Sequence, residues 1–280
     1  MKRVDAARLV LLAAIWGASF LFNRVAAPAL GPILTAELRT LIAGIALAVY
    51  FAVAGLDPQW RRFGRHYFVV GILTSALPFV LWAYAALSLT AGLMSVINAT
   101  SPMWGAVCAA VFLGERLTAR RTLGLAIGIV GVALVTGPEA TFSIAPVLAA
   151  LCAAFSYGLA GAYMKRKAAD VPSRAMAVGT QLVAGFILIP LIPLWPPAGM
   201  PSPLVAGSML ALGLVCGAIA YLLYFRLIAD IGPTGALTVT YLIPVFGVLW
   251  GALFLGETIS PPMLVGAGLV LVGTVFVLRT

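Results

Sequence analysis

The sequence predicts an all-α polytopic membrane protein: ten transmembrane helices arranged as two five-helix repeats of opposite orientation. Three observations carry this reading: an apolar composition, a series of long apolar runs, and a motif that recurs at a fixed offset. Of 280 residues, 63% are hydrophobic and 9% are charged. That is too little charge to cover a soluble domain of this length. The runs are continuous and do not alternate, which excludes a β-barrel and leaves helices, whose backbone groups are satisfied internally.

A helix needs about 20 apolar residues to cross the hydrocarbon core. Such runs cover residues 9–27, 33–54, 67–87, 91–113 and 119–136, then 144–164, 175–194, 204–225, 234–255 and 263–278. Short connections with turn chemistry separate them, at Gly31-Pro32, Gly114-Glu115, Gly137-Pro138 and Gly256-Glu257. Thr118 and Ser260 stand where helix starts need a capping hydroxyl. With both termini cytoplasmic, the inner segments hold all but two of the 17 Lys and Arg residues, the exceptions being Arg24 and Arg39. That asymmetry fixes the expected orientation in a cell inner membrane. The net charge of +9 is scattered between apolar runs, so it reads as a topology signal and no nucleic-acid partner is expected. Arg24 and the nine further runs make the first run an uncleaved span rather than a signal peptide.

The repeat is explicit. Ser101-Pro102 through Phe112-Leu113-Gly114-Glu115 matches Ile243-Pro244 through Phe254-Leu255-Gly256-Glu257 at an offset of 142 residues. The register continues through Gly124 with Gly266 and Gly131 with Gly273. Two units follow, 1–142 and 143–280, each with five spans. Five is odd, so the second unit enters the membrane inverted. Inverted repeats are the architecture of secondary transporters, with solute bound near the midplane between them.

Cys108, Cys152 and Cys216 lie in apolar runs without ligand spacing, and the one His66 sits beside Arg65. No metal or cofactor is expected. Arg24, Glu37 and Arg39 are the ionisable residues inside the runs, all towards the outer ends, where long side chains snorkel to the interface. With no acid or histidine expected at depth, the sequence gives no positive sign of proton coupling. Facilitated exchange or uniport is at least as well supported, and no enzyme active site can be assembled. Aromatic surface is what the interior offers. The repeat offset pairs Phe79 with Tyr221 and Trp82 with Tyr224, and an offset of 141 pairs Trp16 with Tyr157 and Phe22 with Tyr163. Such pairing suits either a common cavity lining or core packing. Trp60 and Trp195, at span ends, read as interfacial anchors.

Asn98, followed by Thr100, Ser101 and Pro102, is the most polar patch at depth, and its counterpart is Thr240, Tyr241 and Pro244. Proline frees a carbonyl one turn earlier, and Asn98 either binds solute or bonds to a neighbouring helix. Gly124, Gly128 and Gly131, with Gly266, Gly268 and Gly273, predict close helix packing at a peripheral or dimer face, which fits a monomer or weak homodimer. Glu115 and Glu257 follow helix-ending glycines, where a carboxylate opposes its own helix dipole. Each is expected to cap a neighbour or to sit in water.

These features, with Trp16-Gly17 in the first helix and Arg39 in the second, resemble the drug/metabolite transporter superfamily in its EamA group. The resemblance spans essentially the whole chain. It implies export or import of amino acids, other metabolites or drugs, and is nearest to amino-acid exporters of the YddG type. In those, positions corresponding to Tyr157, Asn98 and Ser101 line the cavity. Ser101 stands where aromatic exporters of that type carry tryptophan, which implies a wider range of neutral amino acids.

The expected function is a secondary transporter moving small amphipathic metabolites, chiefly amino acids, out of the cytoplasm by alternating access. The expected solute contacts are Trp16, Phe79, Trp82, Asn98, Ser101, Tyr157, Tyr221 and Tyr241. With no buried arginine expected, backbone groups freed near Pro102 and Pro244 would hold the charged ends of the solute. The alternatives are a multidrug, lipophilic-cation exporter and, from another class, a membrane pore.

Overall fold

The structure is a computed structural model that describes residues 2–136 and 144–278. The turn at Gly137-Pro138, the unit boundary at 142/143 and Arg279 therefore lie outside the described residues. Among the described residues every regular element is helical. Nine helical segments among the described residues are long and apolar enough to cross a membrane.

The first of them, Arg3–Val53, has 51 residues, about 75 Å at 1.5 Å per residue and more than twice the hydrocarbon thickness. It is two spans joined at Gly31, whose φ of 76° and ψ of 161° break the helix. Glycine is required there twice over. The positive φ disfavours any side chain, and an added Cβ would lie 2.6 Å from Cδ1 of Trp195. Ten crossings result: α1 (3–30), α2 (32–53), α3 (Trp60–Ala85), α4 (Ala91–Leu113), α5 (Ala119–Thr136), α6 (Ile144–Lys167), α7 (Ser173–Leu194), α8 (Pro203–Gly232), α9 (Gly235–Leu255) and α10 (Pro261–Leu278).

Successive spans run in opposite directions, so α1–α5 and α6–α10 are inverted copies. Ion pairs mark the end that carries the termini: Arg8 with Asp230 at 2.6 Å, Arg62 with Asp170 at 3.6 Å and Lys165 with Glu115 at 2.6 Å. The far end is marked by Trp195 on Gly31 and by Arg24, which donates to the carbonyl of Ala86 at 2.7 Å. α8 outlasts its apolar run and ends at Gly232. Its last turns are carried into the polar zone by Arg226 with Asp230, an i,i+4 pair at 2.9 Å.

Small residues set the seams. A Cβ on Gly17 would lie 2.9 Å from the backbone nitrogen of Gly247, so α1 and α9 touch backbone to backbone. The glycines of α5 and α10 face each other. A Cβ on Gly131 would lie 2.8 Å from the Gly266 carbonyl oxygen, and one on Gly273 would lie 2.5 Å from that of Gly124. The expected dimer face is thus a seam within one chain, joining the last helix of each repeat. Gly128 and Gly268 differ: a Cβ on the first would meet the Met103 side chain of α4, and one on the second meets nothing within 4 Å. Hydroxyl and indole groups add interhelical bonds: Trp250 Nε1 to Ala14 O at 2.9 Å, Thr274 to Ala99 O at 2.9 Å, and Ser156 to Leu73 O at 2.7 Å.

Two matched helices are locally widened. α3 has a π-type turn at Ile72–Ala76 and α8 has one at Ala211–Ile219. Such turns recur at functional sites because they re-aim side chains and loosen the backbone ladder. Both border the cavity described next.

Candidate functional site

A cavity of about 630 Å³ lies between the two repeats, within the range of small-ligand sites. Its wall is aromatic. α1 supplies Trp16 and Phe20, α3 supplies Phe79 and Trp82, α6 supplies Tyr157, and α8 supplies Tyr221 and Tyr224. Trp16 lies 5.3 Å from Tyr224 and meets Tyr221 edge-on at 6.5 Å, while Phe20 meets Trp82 edge-on at 5.3 Å. The three-residue spacing of 79 with 82, and of 221 with 224, puts each pair on one helix face, and in both helices that face is the cavity face. Phe22 and Tyr163, also paired by the repeat, go elsewhere. Phe22 packs with Ala26 and Leu30, and the Tyr163 hydroxyl is 3.1 Å from Nδ1 of His66.

Seven of the eight expected solute contacts border this cavity: Trp16, Phe79, Trp82, Asn98, Ser101, Tyr157 and Tyr221. Tyr241 does not, being half-buried on α9 while Val239, Thr240 and Ile243 form the wall there. Each residue turns the helix by about 100°, and the face centred on Val239, Thr240 and Ile243 leaves Tyr241 beyond its edge. The Asn98 amide makes no hydrogen bond among the described residues and stands at the wall. The carbonyl that Pro102 leaves without its helical donor, Asn98 O, accepts from the Ser101 hydroxyl at 2.6 Å. One lone pair of that backbone acceptor is thereby engaged within the helix.

Gln181 on α7 was not anticipated. Its Nε2 donates to Ser75 at 2.9 Å and to the Tyr221 hydroxyl at 3.4 Å. It is an amide in an apolar run, which was the available signal. Ser19, Asn23 and Thr74 also border the cavity, with Asn23 Nδ2 donating to Ser19 O at 2.7 Å.

The largest correction concerns charge at depth. Arg39 does not snorkel. It is 8% exposed, borders the cavity, and holds its guanidinium carbon 3.8 Å from the ring centre of Phe79. Neighbouring helices cover it before its side chain can reach the interface. Glu37, one half-turn earlier, is likewise buried at 4% exposure. That acid, in the second span near its outer end, is covered by protein and not turned out to the interface.

The two ends differ. At the far end Glu257 accepts from the backbone N–H groups of Ala91 at 2.8 Å and Gly92 at 3.2 Å, capping the start of α4, with Arg24 Nε 3.9 Å away. Its repeat partner Glu115 borders the cavity at the terminus-bearing end, paired with Lys165 at 2.6 Å and Arg121 at 3.4 Å. The cavity thus reaches solvent at the terminus-bearing end. Lys165, joined by Arg121, holds the Glu115 carboxyl below the usual carboxylate range. A lowered value means that this contribution is present well above the ordinary value of 4.5 and is lost as pH falls through the lowered one. Wild type should therefore lose thermal stability relative to Glu115→Gln on acidification. The difference should stay within about 1 kcal/mol, as for partly exposed pairs, and a flat difference between pH 7 and 3 would refute it.

The EamA-like transporter family model matches residues 6–137 and again residues 144–279. The chain belongs to that family. Membership makes it a multi-pass membrane transporter and not an enzyme. Similar family proteins include the "Uncharacterized transporter YvbV" of Bacillus subtilis (strain 168), 28% identical over 98% of this chain and 92% of its own length. A "Probable terminal-alkyne amino-acid exporter" of Streptantibioticus cattleyicolor is 28% identical over 97% of this chain and 92% of its own. A "Probable amino-acid metabolite efflux pump" of Salmonella typhimurium is 26% identical over 98% and 94%. A solved crystal structure matches the fold with a TM-score of 0.70 at 18% identity, covering 99% of this chain and 98% of that one.

Proposed function

We propose that this EamA-family protein is a secondary transporter that exports small amphipathic metabolites, amino acids foremost, by alternating access across a bacterial-type inner membrane, with both termini cytoplasmic. The observation that carries the reading is the aromatic and amide-lined cavity between inverted repeats, reaching solvent at the terminus-bearing end and lined, among the described residues, by none from the far-end connections. A continuous pore would need both ends open. Two relatives named as amino-acid exporter and amino-acid metabolite efflux pump support the solute class. The Lys and Arg bias supports the orientation, and the internal use of the glycine faces supports a monomer.

In this reading the solute enters from the cytoplasmic end and stacks its apolar part on Trp16, Trp82 and Tyr221. Asn98 and Gln181 offer hydrogen bonds to its polar end. The repeats then rock about the bound solute to expose it on the other side. Counterflow in proteoliposomes preloaded with a mixture of neutral amino acids tests this. Labelled phenylalanine, leucine or methionine should accumulate above empty vesicles, and failure of all three would reject the reading. Single-channel current across a planar bilayer would instead favour a pore.

A further inference from the structure

We infer that Arg39 docks the solute's carboxylate, so that the cavity selects molecules by a carboxylate joined to an apolar body and needs no amino group. The inference rests on the cavity being the solute site, as proposed above, and narrows its chemistry. Arg39 is 92% buried and faces the cavity, and its Nε has no hydrogen-bond acceptor among the described residues. No carboxylate forms an ion pair with it among the described residues, and the cavity's one carboxylate, Glu115, is engaged by Lys165 and Arg121.

An isolated guanidinium inside a membrane protein is expensive, and such groups pair with something. Here one face of the guanidinium lies on Phe79, an arrangement that stabilises the cation while leaving its edge free. The edge carries the donors, in a planar fork that matches a carboxylate in two-point fashion. Tyr157, Tyr221 and Cys216 are its neighbours, and none of them is an anion. The missing partner is therefore anionic and arrives with the solute. The aromatic wall continues from Phe79 to Trp82, Phe20 and Trp16, where the apolar body stacks. The same uncompensated charge repels cations, which disfavours a lipophilic-cation exporter.

The test uses the full-length protein in lipid nanodiscs and four probes sharing one phenyl body: phenylalanine, 3-phenylpropionate, 2-phenylethylamine and phenylalaninamide. Binding is read by calorimetry. The two carboxylates should bind at least tenfold more tightly than the amine and the amide. Arg39→Gln should weaken both carboxylates by roughly thirtyfold or more, the scale for removing one member of a buried, hydrogen-bonded charge pair. Arg39→Lys, which keeps the charge and loses the fork, should fall between.

Equal binding of all four probes, absence of carboxylate binding, or an unchanged preference in folded Arg39→Gln would each overturn the inference. If Arg39→Gln does not fold, the wild-type series and Arg39→Lys still decide. Phenylalanine counterflow separates the two readings. Carboxylate-selective binding without counterflow leaves the docking site standing and removes the transport of amino acids. Counterflow unchanged in Arg39→Gln sinks the docking site alone.

Discussion

Gly161→Phe should abolish transport while leaving the protein folded, and Gly158→Leu, one turn away on the same helix, should destabilise it strongly. Both glycines border the cavity, but their surroundings are opposite. A Cβ on Gly161 meets nothing within 4 Å, so a ring there projects into the cavity and removes volume from a space of about 630 Å³. Stability should shift by no more than about 0.5 kcal/mol, as for a side chain added in open space. A Cβ on Gly158 would lie 2.7 Å from the carbonyl carbon of Trp104 and 2.8 Å from its oxygen. Backbone cannot rotate aside, so leucine must force α6 from α4 at a cost of about 3 kcal/mol, the upper range for overpacking. The checks are counterflow for the first variant and thermal unfolding in detergent for both. Normal counterflow by folded Gly161→Phe would mean that solute does not pass through this cavity.

Most of the fold was legible because each of its rules acts along the chain. Apolar run length, the lysine and arginine bias and the 142-residue register are local or periodic signals, and the ten spans follow from them. Even the glycine stripes announced close packing. What they did not announce was the partner, since Gly131 meeting Gly266 depends on which helices become neighbours. The break at Gly31 was visible as Gly-Pro, whereas the packing of Trp195 against it was not.

The cavity was legible where the repeat supplied a comparison. Phe79 with Tyr221 and Trp82 with Tyr224 share a helix face by spacing alone. Arg39 was misjudged for a physical reason: depth along a span is readable, but burial depends on whether neighbouring helices cover the side chain. A position near the outer end suggested snorkelling, and only packing shows the guanidinium turned onto Phe79. Gln181 was missed because no like residue marks its position in the other repeat, where the offsets of 142 and 141 lead to Arg39 and Thr40. Tyr241 fell away from the wall because α9 turns Thr240 inwards.

Glu257→Ala should open the far end. The Glu257 carboxylate ties the α9–α10 connection to the start of α4 at that end by accepting two backbone N–H groups, 2.8 Å from Ala91 and 3.2 Å from Gly92. A helix N-terminus favours an anion there, and hydrogen bonds to charged groups are worth about 1.5–3 kcal/mol each. Alanine removes both and leaves Arg24 facing two unmet donors. Its repeat partner Glu115 makes no such cap and pairs with Lys165 and Arg121 instead, so the two ends of one duplicated design stand in different states. Removing the cap should shift the population towards the state with the far end open by roughly tenfold or more, from the lower end of that energy range. Gly161→Cys, at a position that borders the cavity in open space, reports on access once Cys108, Cys152 and Cys216 are changed to serine. An impermeant thiol reagent should reach it from the terminus-bearing side in this background, and from the far side only after Glu257→Ala. Glu115→Ala should leave the far side closed. Far-side labelling that stays unchanged in folded Glu257→Ala would show that this carboxylate caps a helix without governing access.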